Sequence, residues 1–238
     1  MNNIYLNLLN DLRNVIVIIA SIPFELTDDY IQKNLFILDA EEKERFNRYK
    51  VASKKIEFLS GRILLKTILG DILGLPPASI SFIKNSYGKP FIKQDSQIDF
   101  NISHSGNKLV LAITKNKNVG VDIEKIEEDV LEVMDLVFLP DEISYINSQP
   151  SYYQRKEAFY NIWTRKEAFM KLSGKGFNLS PLEFRVPFEN SERQNGNIVF
   201  QTSIQSVDYI MTVVIDKSSL VEDINFIYKE IDIMKLLN

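Results

Sequence analysis

The 238-residue sequence contains no cysteine. That excludes disulfides, a thiol nucleophile and any thiolate metal site, and it fits a reducing compartment. There is one histidine, His104, so metal sites built on several imidazoles are excluded, as is a histidine-based triad elsewhere. Neither sign of charge dominates: 28 Lys and Arg stand against 32 Asp and Glu, a net charge of −4. A chain with a pI near 5.3 lacks the basic footprint of a nucleic-acid binder. Any anionic ligand must therefore be met by a local basic pocket. No apolar run is long: the strongest, VIVIIA at 15–20, falls far short of the ~20 residues that span a bilayer. Nor does a basic leader precede an apolar stretch. The expectation is a soluble, cytoplasmic protein with no nucleic-acid or membrane partner.

What is present suffices for a sizeable core. The sequence is 45% hydrophobic and 25% charged, enough for one large domain or two lobes of roughly 100–120 residues. The run 15–20, stopped by Pro23, predicts a buried strand. Residues 39–50 predict a helix, with Asp39 as N-cap and Glu42 completing a capping box. Phe58, Leu59, Ile63, Leu65, Ile68, Leu69 and Ile72 recur at helical spacing over 53–73, and Gly74, Pro76 and Pro77 end that helix. Further strands are expected at 80–84, 89–92, 100–103, 108–114, 119–123, 198–204, 209–215 and 224–228. Further helices are expected at 127–137, from Pro140, and at 154–172. Each half runs strand, helices, antiparallel strands. The pattern predicts an α+β protein of two lobes joined near 115–118, with a ligand cleft between them.

Three segments carry chemistry: 101–106 (NISHSG), 120–124 (GVDIE) and 163–171 (WTRKEAFMK). Strand alternation puts Asp122 and Glu124 on one face. There they repel unless a cation lies between them, and magnesium, which keeps several waters, needs only two or three carboxylates plus a substrate phosphate. The plainer reading is a solvated strand edge. Glu167 and Lys171 lie four apart on one helix face, with Trp163 four residues earlier. An ordinary surface ion pair, about 0.3–0.5 kcal/mol, is the plainer reading there. Ser103, His104 and Ser105 could hydrogen-bond phosphate oxygens, or form a turn around a satisfied histidine. Residues 87–90 (YGKP) set Lys89 in a turn, and 174–176 (GKG) lack the P-loop spacing. Three carboxylates, a histidine and several lysines together are equipment for moving a phosphorylated group.

In this order the segments resemble the 4′-phosphopantetheinyl transferase family, of the Sfp (surfactin-synthetase-activating) type. The matching stretches are 87–90, 100–106, 119–124, Phe159 and Tyr160 through Trp163, Lys166, Glu167, Ala168 and Lys171, and 174–176. The resemblance covers nearly the whole chain from Val15. It implies an N-terminal extension (1–14), an N-terminal α+β lobe (15–116) and a C-terminal α+β lobe (117–238). It further implies pseudo-twofold symmetry, with coenzyme A in the cleft and the site complete within a monomer. The implied reaction moves 4′-phosphopantetheine from coenzyme A to a serine of an apo peptidyl or acyl carrier protein, with Mg2+, releasing 3′,5′-ADP. Matched residue by residue, Asp122, Glu124 and Glu167 are the magnesium ligands, and Glu167 is also a candidate base. Lys171 contacts the transferred phosphate as an electrostatic clamp. Ser103, His104, Lys89 and Arg45 surround the nucleotide and its phosphates. Glu42 departs from the pattern, standing where a second basic residue is expected, and Lys43 or Arg48 is the candidate replacement. Phe169, Met170 and Phe177 are candidate carrier contacts, with core packing as the alternative. The competing functions are a magnesium-dependent phosphodiesterase or nuclease, and a non-catalytic carrier- or coenzyme-A-binding protein.

Overall fold

The computed structural model describes residues 7, 9–11, 13–23, 25–128, 130–189, 193–194, 197–206, 208–216 and 223–236. Ten strands are described: β1 (Asn14–Ser21), β2 (Phe82–Lys84), β3 (Pro90–Ile92), β4 (Ile98–Ser105), β5 (Lys108–Lys115), β6 (Asn118–Lys125), β7 (Arg193–Gln194), β8 (Ile198–Ser206), β9 (Tyr209–Asp216) and β10 (Asn225–Asp232). The helices are α1 (Asp28–Asn34), α2 (Ala40–Arg48), α3 (Ala52–Leu73), α4 (Met134–Val137), α5 (Pro140–Asn147) and α6 (Tyr152–Ser173). The α+β class expected from the sequence is the one observed.

Two four-stranded sheets, ordered β10-β1-β5-β4 and β6-β9-β8-β7, lie face to face. In β1 the run 15–20 is buried on both faces. Ile16, Ile18 and Ala20 point into a core shared with α3, while Val15, Val17 and Ile19 point into a core shared with the second sheet. The latter core includes Val119, Val121, Ile123, Met211, Val213 and Ile215. A third core packs α6, through Ala168 and Leu172, onto Phe200, Ile210 and Val214 of the second sheet. The layers are therefore helix, sheet, sheet, helix, and a strand inside such a stack reads as a continuous apolar run because neither face meets water.

One strand lies away from its neighbours in sequence. β10, from the stretch 117–238 expected to form the C-terminal lobe, pairs in parallel with β1 from Asn14↔Asn225 to Ser21↔Asp232, and so belongs to the first sheet. Most of the expected 1–14 extension lies outside the described residues, but Leu9 is buried in the first core and Asn14 opens β1.

The facing edges of the two sheets meet without a backbone ladder. Asp99 Oδ2 accepts from Val119 N (2.8 Å), Asn101 Oδ1 from Val121 N (3.0 Å) and Ser105 Oγ from Lys125 N (3.0 Å). Side chains of β4 residues thus satisfy three N–H groups along the edge of β6, which would otherwise be an open pairing edge.

Local chemistry sets the helix ends as expected. Asp39 and Glu42 form a reciprocal capping box at α2. Gly74 and Gly174 end α3 and α6 in the left-handed region, with φ of 66° and 69°. The helix expected at 127–137 is instead a 3-10 turn at Val130–Val133 followed by the single turn α4. Three β-branched valines (Val130, Val133, Val137) lower its helix propensity, and Val133 and Leu136 remain exposed.

Candidate active site

Gly120, Asp122 and Glu124 share the face of β6 that meets α6. Gly120 is the point of closest approach: a Cβ there would lie 2.6 Å from Leu172 N and nearer still to Ala168 O. This lack of a side chain lets α6 lie directly on the strand, bringing Glu167 and Lys171 to the carboxylates of β6. Lys171 Nζ donates to Asp122 Oδ1 at 2.6 Å and to Ser103 Oγ at 2.8 Å, and Ser103 Oγ donates to the same Asp122 oxygen at 2.9 Å. Ser105 Oγ donates to Glu124 Oε2 at 2.7 Å. Both serines come from β4, so the site draws on both sheets and on α6.

The electrostatics show an unmet need for positive charge. Burial pushes the Glu167 carboxyl up to about 7, and the Asp122 charge adds to the shift while Lys171 opposes it. Burial likewise pushes Glu124 up to about 7, with further contributions from Asp122 and Glu167 against the Ser105 hydrogen bond and Lys171. The Asp122 Oδ2 atom is buried with no hydrogen-bond partner among the described residues. Also among the described residues, no three carboxylate or imidazole groups are gathered as a finished metal cage. Asp122 Oδ1 is held by Lys171 and Ser103. An orphaned carboxylate oxygen and two carboxyls that resist ionisation without a counter-charge still fit a hard, oxygen-seeking divalent cation.

A second part of the site lies where α2 and α3 meet β4. Arg45, Tyr49, Glu57, Phe58, Arg62 and His104 contribute to the walls of a cavity of about 220 Å3. Both guanidinium groups lie over the Phe58 ring, at 5.0 Å for Arg45 and 5.3 Å for Arg62, and Arg45 Nε donates to Tyr49 Oη at 3.0 Å. The His104 Nε2 atom is 3.2 Å from Glu57 Oε1. Burial lowers the pKa of His104, the Glu57 charge opposes that, and Lys54 and Lys171 reinforce it. Two arginines and a histidine facing one small cavity make a niche for a phosphate.

Several expectations are revised here. Glu42 does not interrupt the basic niche. It is buried and receives Lys66 Nζ at 2.6 Å and Arg62 Nε at 3.1 Å, anchoring Arg62 at the cavity. Arg62, rather than Lys43 or Arg48, shares the cavity wall with Arg45; Lys43 is exposed and Arg48 faces Glu44 on the surface. Arg62 was missed because it is embedded in the apolar periodicity of α3, although it lies four residues after Phe58 on the same helix face. Lys89 is not brought to this niche. Its ammonium is enclosed, 3.0 Å from Asp99 Oδ2 and 3.4 Å from the carbonyls of Val119 and Leu172. Met170 is buried, and Phe169 packs on Phe184 and Phe200, so both serve the core. The Phe177 side chain lies outside the described residues. Trp163 packs edge-on to Phe138.

A buried acidic cluster capped by a lysine, next to a cationic niche, is the equipment of an enzyme that handles phosphate groups. Two family models match the chain: the 4′-phosphopantetheinyl transferase superfamily over 118–214, and the N-terminal region of 4′-phosphopantetheinyl transferases over 25–116. A 4′-phosphopantetheinyl transferase of Bacillus subtilis is 36% identical over 150 residues, 63% of this chain and 66% of that one. The 4′-phosphopantetheinyl transferase HetI of a Nostoc species is 32% identical over 160 residues, 65% of this chain and 67% of that one. The 4′-phosphopantetheinyl transferase gsp of Aneurinibacillus migulanus is 38% identical over 136 residues, 57% of this chain and 56% of that one. The matched stretches thus span from about half to two thirds of these relatives. The chain belongs to the 4′-phosphopantetheinyl transferase superfamily, a family of transferase enzymes.

Proposed function

We propose that the protein transfers 4′-phosphopantetheine from coenzyme A to a serine of an apo carrier protein, peptidyl or acyl, releasing 3′,5′-ADP. The observation that carries this reading is the junction of Asp122, Ser103 and Lys171. There a buried carboxylate, with one oxygen unpartnered among the described residues, sits beside a lysine and a serine from the opposing sheet. Family membership supplies the reaction class.

In this reading Asp122, Glu124 and Glu167 would hold Mg2+, which when bound would supply positive charge against the pyrophosphate. Lys171, already aimed at Asp122 and Ser103, donates to a phosphate oxygen and balances the developing negative charge. Ser103 orients Lys171 and adds a donor. Arg45, Arg62 and His104 take the nucleotide phosphates in the niche between α2, α3 and β4. Glu167 stands on the face of α6 that meets β6 and is a candidate acceptor for the proton of the incoming serine. The leaving group is a low-pKa phosphate and needs little protonation, so Lys171 acts by charge rather than as an obligatory acid. The carrier docks beside α6 and the loop that follows it, and one chain completes the site, as a monomer in the cytoplasm.

Intact-mass spectrometry of an apo peptidyl carrier protein mixed with this protein, coenzyme A and magnesium tests the reading. A gain of about 340 Da with the wild type, absent with Asp122→Ala, is expected if the acidic cluster holds the metal. No gain on peptidyl or acyl carriers, with no heat of coenzyme A binding by calorimetry, would refute it.

A further inference from the structure

The carbonyls at the end of α6 have an unusual set of partners. The last carbonyls of a helix lack intrahelical donors and must find them elsewhere. In α6, Met170 O accepts from Ser173 Oγ (2.7 Å) and Lys171 O from Gly174 N (3.2 Å). The next two partners come from the other half of the chain. Leu172 O accepts from Lys89 Nζ (3.4 Å) and Gly174 O from Asn85 Nδ2 (2.9 Å). Both donors sit on one tight turn between β2 and β3. There Asn85 Oδ1 also accepts from Tyr87 N and Lys89 N, both at 2.9 Å, which locks the turn. The fit is tight at Gly174, where a Cβ would lie 3.1 Å from Asn85 Nδ2 and 3.2 Å from Lys89 Cδ and would displace one of them by a few tenths of an ångström. The Lys89 ammonium simultaneously holds Asp99 of β4 and the Val119 carbonyl of β6. One buried cation therefore ties together both sheet edges and the negative end of the helix dipole.

We propose that the Asn85–Lys89 turn is a clamp that sets the position of α6, and that Lys89 is a positioning residue acting through Lys171 and Glu167 rather than a coenzyme ligand. Lys171 is the residue immediately before the clamped Leu172, and Glu167 lies one turn further back on the same face. Any slide or rotation of α6 released at its C-terminal end changes where the Lys171 ammonium meets Asp122 and Ser103. The inference rests on the transferase reading for its kinetic consequence, but its structural content stands apart from it.

The test compares the wild type with Lys89→Arg, Asn85→Ala and the double variant Lys89→Met/Asp99→Asn, which leaves no buried charge unmatched. Carrier loading gives kcat and KM for coenzyme A, and hydrogen exchange follows the amides of 170–176. The double variant is expected to lose about tenfold or more in kcat, with KM for coenzyme A changed less than about twofold. Lys89→Arg recovers part of the loss. Exchange at the end of α6 is faster in the double variant and, to a smaller degree, in Asn85→Ala, which keeps the Lys89–Asp99 pair. A rise in KM at unchanged kcat would make Lys89 a coenzyme contact and overturn the proposal. Unchanged exchange at 170–176 in both Asn85→Ala and the double variant would overturn it even if the wild type loads no carrier.

Discussion

Replacing Gly120 by alanine tests the close approach of α6 to β6. The added Cβ would stand 2.6 Å from Leu172 N, 3.1 Å from Ala168 C and nearer still to Ala168 O. These are backbone atoms of α6, so no rotamer change relieves the contact. A carbon needs about 3.5 Å from such neighbours, so the helix must retreat from β6 by about 1 Å to clear Leu172 N and further to clear Ala168 O. Overpacking of a tight core costs about 1–3 kcal/mol, and with rigid obstacles the upper end is expected. For a protein of this size about 3 kcal/mol lowers Tm by roughly 6–12 °C. The same retreat carries Glu167 and Lys171 away from Asp122, and misplacement of about 1 Å can cost on the order of 100-fold in turnover. Thermal unfolding by circular dichroism and carrier loading by mass spectrometry read the two effects. Gly61→Ala is the internal control for stability alone, since Gly61 also lines the cavity beside Arg45 and His104: its Cβ meets Ile102 Cδ1 and Leu109 Cδ1, at 3.8 and 3.9 Å, in mid-helix. It is expected to be neutral or to stabilise by up to about 1 kcal/mol. A Gly120→Ala protein with an unaltered Tm and turnover within twofold of the wild type would refute the reasoning.

Lys166 and Glu142 form a fully buried pair at 3.0 Å, with Lys166 also donating to Pro181 O and Phe184 O. Lys166→Met leaves Glu142 unpaired and is expected to cost about 3–5 kcal/mol in urea unfolding. Combining it with Glu142→Gln should recover a measurable part, and strict additivity of the two changes would contradict this. Because burial depresses the His104 pKa below its usual 6.5, the unfolded chain binds the proton more readily than the folded one. This stability contribution is present above pH 6.5 and lost as pH falls through 6.5 toward the depressed value; the Tm gap between wild type and His104→Asn should shrink in that window. An anion in the niche restores the proton, so 3′,5′-ADP binding near pH 6.5 should take up protons, visible by calorimetry in buffers of different ionisation enthalpy, and proton release would contradict it. Adding magnesium to metal-free protein should raise Tm by mass action, and Asp122→Ala should abolish the response; an equal response in the variant would place the ion elsewhere.

Features written in a local pattern were legible in the sequence. The Asp39/Glu42 capping box, the Gly74 stop and the double-sided burial of 15–20 each depend on residues within a few positions of one another. So does the shared face of Asp122 and Glu124. Features that depend on distant partners were not legible. Nothing near 225–232 announces that this strand lies parallel to β1. Lys89 reads as a ligand because lysines in turns are usually exposed; only the arrival of Asp99 and the end of α6 encloses it. The role of Glu42 is hidden for the same reason, since Lys66 and Arg62 reach it from another helix.

The pairing of β1 with β10 also sets a timetable for synthesis. Asn14 and Asn225, which meet at the start of this pair, are 211 residues apart in the chain. At roughly 5–20 residues per second, a ribosome needs about 10–40 s to deliver the second strand after the first. Through that interval an apolar strand destined for a sheet interior has one side without its partner, a template for joining another chain. The nascent protein is therefore most exposed to aggregation late in translation. Slowing elongation over 120–225 should lower soluble yield more than slowing it before β1.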